Sequence, residues 1–315
     1  MTKLAYNLLR LIRPRQWVKN LAIFASITFS GELFDPPIVS KVILGFFVFC
    51  GLASATYIVN DIFDVKKDRL HPFKKFRPIA NGDIPIFVAA IFAAVLIIGS
   101  LLTATIITPA FFALAIIYLL MQFLYSTSLK SVAIVDILII AAGYILRVYA
   151  GEVASGFHIS VWLLLTTISI SLFLAIGKRR SELTLLSHEK SADVTSIRSS
   201  LSHYSEKLLD VYASIFATST FIAYSLFTFL ENPGGFKLSF GTIPSDFLPA
   251  FFQRKWLMIT IIPVVYGLMR YLQDIYEKHE GESPEKVLFS DKPLLTTVII
   301  WIILVVLLVY FINPS

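Results

Sequence analysis

Residues 38–68 read IVSKVILGFFVFCGLASATYIVNDIFDVKKD. Most of this stretch is apolar and long enough to cross a bilayer, whose hydrocarbon core needs about 20 such residues in a helix. It closes on Asn60-Asp61-Ile62-Phe63-Asp64-Val65-Lys66-Lys67-Asp68. On a helix, positions 61, 64 and 68 follow i, i+3, i+7 and share one face. A rise of about 1.5 Å per residue sets Asp61 and Asp68 roughly 10 Å apart along the axis. That length suits a metal-bridged diphosphate better than one compact ion. Mg²⁺ takes oxygen ligands, commonly one or two carboxylates together with substrate phosphates. The plain alternative is a solvated helix end, but Asp61 and Asp64 border apolar sequence, where charge is expensive.

The rest of the chain repeats the membrane signature. Of its 315 residues, 57% are hydrophobic and 15% charged, against roughly 45–50% and about 25% in soluble domains. Mean hydropathy is +0.77. This excludes a disordered chain, a disulfide-rich secreted domain and an ordinary soluble enzyme. The single Cys50 lies in an apolar run, cannot form an internal disulfide, and reads as a small buried hydrophobe. Nine apolar runs follow one another: 17–33, 38–62, 84–107, 109–127, 132–154, 160–180, 207–231, 254–276 and 293–312. Leu, Ile, Phe and Val fill them all round, as in lipid-facing helices and unlike barrel strands. The fold class expected is an all-α integral membrane protein with about nine transmembrane helices.

The net charge of +6 does not point to nucleic acid, because the bases sit in short loops between apolar runs. With the N-terminus cytoplasmic, 22 of the 27 Lys and Arg fall on the cytoplasmic side. Lys41, Lys237, Arg254 and Lys255 fall outside, and Arg147 lies within the fifth run. This is a strong positive-inside signal. It places the N-terminus and the acid cluster in the cytoplasm and, for nine spans, the C-terminus outside. A cleavable signal is not expected, since Arg10, Arg13 and Arg15 interrupt its apolar region.

After the acid cluster comes His71-Pro72-Phe73-Lys74-Lys75-Phe76-Arg77-Pro78-Ile79-Ala80-Asn81-Gly82, a shaped loop by its prolines and glycine. Lys74 and Arg77 can return over the acid face and hold phosphate oxygens, Arg as a bidentate fork. His71 reads first as an interfacial structural residue and second as a site residue. Arg147 needs a partner or a polar cavity. Asp136, about three turns earlier, shares its face, so the two line a site at different depths or form a structural ion pair. Lys178, Arg179 and Glu182 close the sixth run, with Lys178 and Glu182 spaced for a salt bridge. Arg13, Arg15, Gln16 and Lys19 open the first run, where they grip a lipid phosphate or, with Trp17, anchor the chain at the interface. Neither a P-loop nor zinc spacing occurs.

N-D-x-x-D-x-x-x-D at 60–68 followed by R-P-I-A-x-G at 77–82 resembles the UbiA superfamily of intramembrane prenyltransferases. R-P-R-Q-W-V-K-N at 13–20 and D-R-x-H-P-x-K-x-x-R-P-I-A at 68–80 resemble, more narrowly, its phosphoribosyltransferase branch. So do L-R-x-x-A-G at 146–151, G-K-R-x-x-E at 177–182, and the late Gly281-Glu282-Ser283-Pro284-Glu285 with Asp291. The second aspartate-rich motif of prenyl-diphosphate users is reduced to Lys130 and Asp136, and Tyr125 and Lys130 stand five apart. Fewer acids and more bases suit a donor with an extra phosphate.

The resemblance implies one UbiA-like helical bundle over 1–315, with cytoplasmic loops 63–83 and 179–206 as a cap, in a bacterial or archaeal plasma membrane. It implies a transferase moving 5-phosphoribosyl from phosphoribosyl diphosphate (PRPP) to a decaprenyl-type polyprenyl phosphate, for cell-envelope glycan precursors. Mg²⁺ would be held by the catalytic Asp61, Asp64 and Asp68. PRPP would meet Asn60, Lys74, Arg77, Lys130, Asp136, Arg147, Lys178, Arg179 and Glu182. The lipid phosphate would meet Arg13, Arg15, Gln16 and Lys19. Membrane lipids are partners, nucleic acid is not, and a homo-oligomer stays open. The alternatives are a prenyltransferase using prenyl diphosphate on an aromatic or other acceptor and, less favoured by the sparse intramembrane charge, a cation-coupled transporter.

The charge count is testable in a Cys50→Ala background. Lys75→Cys should react with membrane-impermeant maleimide only after the cytoplasmic face is opened, and Phe240→Cys in intact cells. The reverse pattern overturns the orientation.

Overall fold

The computed structural model describes residues 3–70, 74–188, 199–231, 256–278 and 284–312. His71, Lys190, Arg198, Lys237, Phe240, Arg254, Lys255 and Gly281-Glu282-Ser283 lie outside the described residues. Every element among the described residues is helical. Eight helices among the described residues are long and apolar enough to span a membrane: Pro36–Phe63, Ile86–Ile107, Pro109–Thr127, Val135–Ser155, Val161–Thr184, Glu206–Leu230, Trp256–Glu277 and Lys292–Phe311. Several start where the sequence supplies an oxygen to the first free N–H groups. Asp35 accepts from Ile38 N, Thr108 from Phe111 N, Ser205 from Leu208 N and Asp291 from Leu294 N. Proline follows the cap in three of the four, where its missing N–H costs nothing.

The ninth expected span, 17–33, takes a different form. Pro14–Phe24 is a 3₁₀ helix and only Ala25–Ser30 is α-helical, before Gly31 turns the chain at φ 87°. A 3₁₀ helix has three residues per turn, so Trp17, Asn20 and Ile23 fall on one line. That line meets the four-residue period of the Pro36–Phe63 helix. Trp17 Nε1 donates to Ser54 Oγ at 3.0 Å, and Asn20 Nδ2 donates to Cys50 Sγ at 3.1 Å. The polar residues that weaken this run as a lipid-facing helix are the ones that dock it on protein.

The chain divides into two compact units. The first comprises Met1–Ala25, Asp35–Lys130 and Leu146–Gly156. Its Ile86–Ile107 helix buries small residues, Ala89, Ala93, Ser100 and Ala104, while Phe87, Val95, Leu102 and Ile106 are exposed, as lipid-facing side chains are. Small residues let helices approach closely where lipid supplies no hydrophobic driving force. Here they pack on Pro36–Phe63, where a Cβ on Gly51 would lie 2.2 Å from Ser100 Oγ. Gly151 sits tighter still, its absent Cβ 1.9 Å from the Ile23 carbonyl oxygen.

The second unit comprises Ser26–Phe34, Ser131–Ile145 and Phe157–Ser315. The helices Val161–His188 and Glu206–Leu230 pack together around Phe173, Ile176, Leu209 and Ala213. Gly177 lets Tyr271 and Ile275 close over the first of them. Buried hydroxyls find partners: Tyr224 Oη lies 2.7 Å from Thr260 Oγ1 and accepts from Trp301 Nε1 at 2.9 Å. Arg270 grips Asp291 through Nε and Nη2 at 3.1 and 2.7 Å.

Gly151→Ala should destabilise the protein by about 1–3 kcal/mol or prevent folding, because the new methyl meets backbone that cannot turn aside. Gly99→Ala, with nothing within 4 Å of the new atom, should not. Thermal unfolding in detergent compares the two, and an unchanged midpoint for Gly151→Ala would contradict the close approach.

Candidate functional site

The Pro36–Phe63 helix ends at Asp64, whose φ of −91° and ψ of 3° interrupt it before the short Val65–Leu70 helix. The hydrogen bonds Asp64 N to Asn60 O and Asp68 N to Asp64 O carry the turn across at 2.9 and 2.8 Å. The acid cluster is therefore a bent helix end and not a straight face. Asp61 and Asp68 are each 3% exposed. One nitrogen, Arg77 Nη1, reaches Asp61 Oδ1 at 2.9 Å and Asp68 Oδ2 at 2.7 Å. The bend thus brings to one cation two carboxylates that a straight helix would separate by roughly 10 Å along its axis. Asp64 turns elsewhere, 3.5 Å from Lys130 Nζ.

Arg13 completes the pairing. Its Nη2 lies 2.6 and 2.7 Å from the two oxygens of Asp61, and its guanidinium stands 5.3 Å from the Tyr57 ring centroid. Arg13 is also in the left-handed region, φ 51° and ψ 63°, at the joint between Lys3–Ile12 and Pro14–Phe24. A side chain other than glycine costs of order 1–3 kcal/mol there and persists only where its surroundings hold it. The ion pair to Asp61 supplies such a hold. Arg77 is carried by the expected shaped loop: Arg69 Nε donates to Ala80 O at 3.2 Å, Ile84 N to Pro78 O at 3.1 Å, and Gly82 turns at φ 83°. Lys74 lies in the 3₁₀ turn Lys74–Phe76.

Arg10, Arg13, Asp61, Phe76, Arg77 and Pro78 line a cleft of about 200 Å³. Arg10, which the sequence reading passed over, donates to Phe76 O at 3.0 Å. Its signal was its place at the cleft end of an amphipathic helix three residues before Arg13. Arg15 is exposed, and Gln16 and Lys19 are half-buried. Asn60, half-buried, supplies the carbonyl that accepts from Asp64 N.

Arg147, 5% exposed, finds its partners within the first unit. Nε donates to Asn20 Oδ1 at 2.6 Å and Nη2 to Tyr118 Oη at 3.0 Å. Asn20 was legible as a polar residue in an apolar run; Tyr118, one of thirteen tyrosines, carried no such mark.

In the second unit Asp136 and Arg179, both fully buried, pair at 2.8 Å through Nε and Oδ2. Arg179, and not Lys178, also contacts Glu182. Asp136 further accepts from Tyr204 Oη at 2.7 Å and Ser200 Oγ at 3.2 Å, neither singled out in the sequence. Burial raises the Tyr204 hydroxyl above its ordinary value, so it stays protonated and donates. Tyr204 Oη in turn accepts from Ile134 N at 2.6 Å, where Ile134 has φ 68°. Lys178 is half-buried on the same helix as Arg179.

Among the described residues no three His, Cys, Asp or Glu side chains are grouped to hold a metal. The donors at the acid cluster are nonetheless all oxygen, and a cation already sits between Asp61 and Asp68 in the form of Arg77. Both features fit a hard divalent ion such as Mg²⁺.

Residues 21–290 match the UbiA prenyltransferase family. The chain is 34% identical, over 98% of its length and 88% of the relative's, to the decaprenyl-phosphate phosphoribosyltransferase of Corynebacterium glutamicum. It is 35% identical to the Mycobacterium tuberculosis protein of that description, over 95% of this chain and 93% of that one. Among solved structures, a UbiA homologue from Archaeoglobus fulgidus bound to GPP and Mg²⁺ superposes with a TM-score of 0.70. It covers 95% of this chain and 99% of its own at 17% identity.

Asp136→Ala removes the carboxylate that pairs with the buried Arg179 and should cost about 3 kcal/mol or more. Tyr204→Phe should cost about 1–3 kcal/mol by stranding a buried acceptor. Detergent unfolding of both variants checks this; near-wild-type stability of Asp136→Ala would refute a stabilising pair.

Proposed function

This chain belongs to the UbiA prenyltransferase family, and within it we propose a polyprenyl-phosphate phosphoribosyltransferase. It transfers the 5-phosphoribosyl group of PRPP to a decaprenyl-type polyprenyl phosphate and releases diphosphate. The observation that carries this reading is the 33–35% identity over at least 95% of the chain to proteins named for that activity. The local chemistry supports it: bases outnumber acids around the cleft, as a donor with phosphates at two positions requires.

In this reading the bond from the anomeric carbon to the diphosphate oxygen breaks with its electron pair, and an oxygen of the lipid phosphate forms the new bond to that carbon. The acceptor is already an anion, so no proton has to be removed and no general base is needed. Asp61, Asp64 and Asp68 would hold Mg²⁺. When bound, the ion offsets the charge of the departing diphosphate. Arg77, with Lys74, Lys130 and Asn60, is assigned to the donor. Arg15, Gln16 and Lys19 are assigned to the lipid phosphate, while Arg13, held on Asp61, belongs with the acid cluster. Arg147 is bonded to Asn20 and Tyr118, apart from the residues that line the cleft.

Purified protein with Mg²⁺ and polyprenyl phosphate should release diphosphate from PRPP and not from a prenyl diphosphate supplied with an aromatic acceptor. The opposite preference would replace this reading by the prenyltransferase one. Asp61→Asn and Asp64→Asn should each abolish turnover in folded protein. More than about a tenth of wild-type activity in both, less than 1.4 kcal/mol of barrier, contradicts the assignment of the acids.

A further inference from the structure

Two guanidiniums occupy the carboxylates to which the functional reading assigns a metal. Arg13 Nη2 and Arg77 Nη1 both lie within 2.9 Å of Asp61 Oδ1, and Arg77 also holds Asp68. A divalent ion cannot share those oxygens with two guanidiniums, because like charges at such distances repel strongly where water is scarce. An ion that takes those oxygens displaces the arginines, and although each is partly exposed, a neighbouring anion holds a displaced guanidinium better than water does. The neighbouring cleft offers the place. Arg10, Arg13 and Arg77 all line it against a single carboxylate, and three forks on one cleft match the oxygens of a diphosphate.

We propose that Arg13 and Arg77 are exchangeable counter-ions. Without a divalent cation they hold Asp61 and Asp68; when the cation takes those carboxylates, they turn onto a diphosphate in the cleft they share with Arg10. The two ligands then bind cooperatively, each tightening the other by the same factor. Neither the cation alone nor the diphosphate alone finds the site complete, which guards a hydrolysable donor from partial assembly. The proposal rests on the functional reading of the acid cluster as a metal–diphosphate site, but not on which group the diphosphate carries.

The experiment uses the purified full chain in detergent, with Mn²⁺ as the probe ion followed by electron paramagnetic resonance. Titrations run with and without inorganic pyrophosphate, against protein-free controls because pyrophosphate itself binds the ion. In the wild type, pyrophosphate should tighten Mn²⁺ binding about tenfold or more, within the usual range of such couplings. Arg13→Gln should shift the two ligands in opposite directions. Mn²⁺ alone binds about tenfold tighter, and pyrophosphate at saturating Mn²⁺ binds about tenfold weaker. Arg10→Gln, which touches no carboxylate, should weaken pyrophosphate and leave Mn²⁺ alone unchanged. A merely structural arginine gives no such opposed pair. If Arg13→Gln does not fold, Arg13→Lys carries the test with smaller shifts of the same signs.

The proposal is overturned if pyrophosphate leaves wild-type Mn²⁺ affinity unchanged, or if Arg13→Gln leaves Mn²⁺ alone unchanged or weaker. It is also overturned if farnesyl monophosphate couples to Mn²⁺ where pyrophosphate does not, since the cleft would then serve the acceptor. Coupling without transfer from PRPP leaves this proposal standing and removes the functional reading; transfer without coupling does the reverse.

Discussion

Two carboxylates buried at the end of a membrane-spanning helix must have cations, and the first unit is organised by that demand. Asp61 and Asp68 are almost wholly withdrawn from solvent. A buried charge whose partner is removed costs several kcal/mol. The partners come from both directions along the chain, Arg13 from the N-terminal segment and Arg77 from the loop after the cluster. Each ion pair draws its segment over the helix end, and the pocket exists because both segments are held there.

The same rule governs the other polar groups at membrane depth. Arg147 is satisfied by Asn20 and Tyr118, and Asn20 by Cys50 in turn. This chain of contacts explains why the first apolar run is wound as a 3₁₀ helix. Its three-residue period sets Trp17 and Asn20 against Ser54 and Cys50, four residues apart on the neighbouring helix. In the second unit, Asp136 gathers Arg179, Tyr204 and Ser200 around one buried carboxylate.

Family membership and site chemistry support each other from different sides. The likeness to the phosphoribosyltransferases extends over nearly the whole chain, whereas the likeness to solved UbiA structures, at 17% identity, speaks for the fold. Between them stands the charge balance around the acid cluster. Every carboxylate of the cluster already has a basic partner, and Arg10 adds a further guanidinium to the cleft. A site so furnished is prepared for a polyanion.

The sequence by itself determined the solvent and marked the acid cluster as the candidate site. Lipid-facing helices must be apolar all round for about 20 residues, and that property is local, so eight of the nine expected spans could be read directly. The acid cluster was legible for the same reason: charge is conspicuous beside such runs. Only the tertiary structure decided how the charges pair. Asp64 bends the helix end, so Asp61 and Asp68 meet at one nitrogen while Asp64 faces Lys130. Asp136 belongs to Arg179 and not to Arg147, although helical spacing had put Asp136 and Arg147 on one face. Arg10, Tyr118 and Tyr204 acquired their parts only when distant segments packed. Helical periodicity says which residues share a face; it does not say which cation, tens of residues away, will be brought to that face, because that depends on how the helices bury one another.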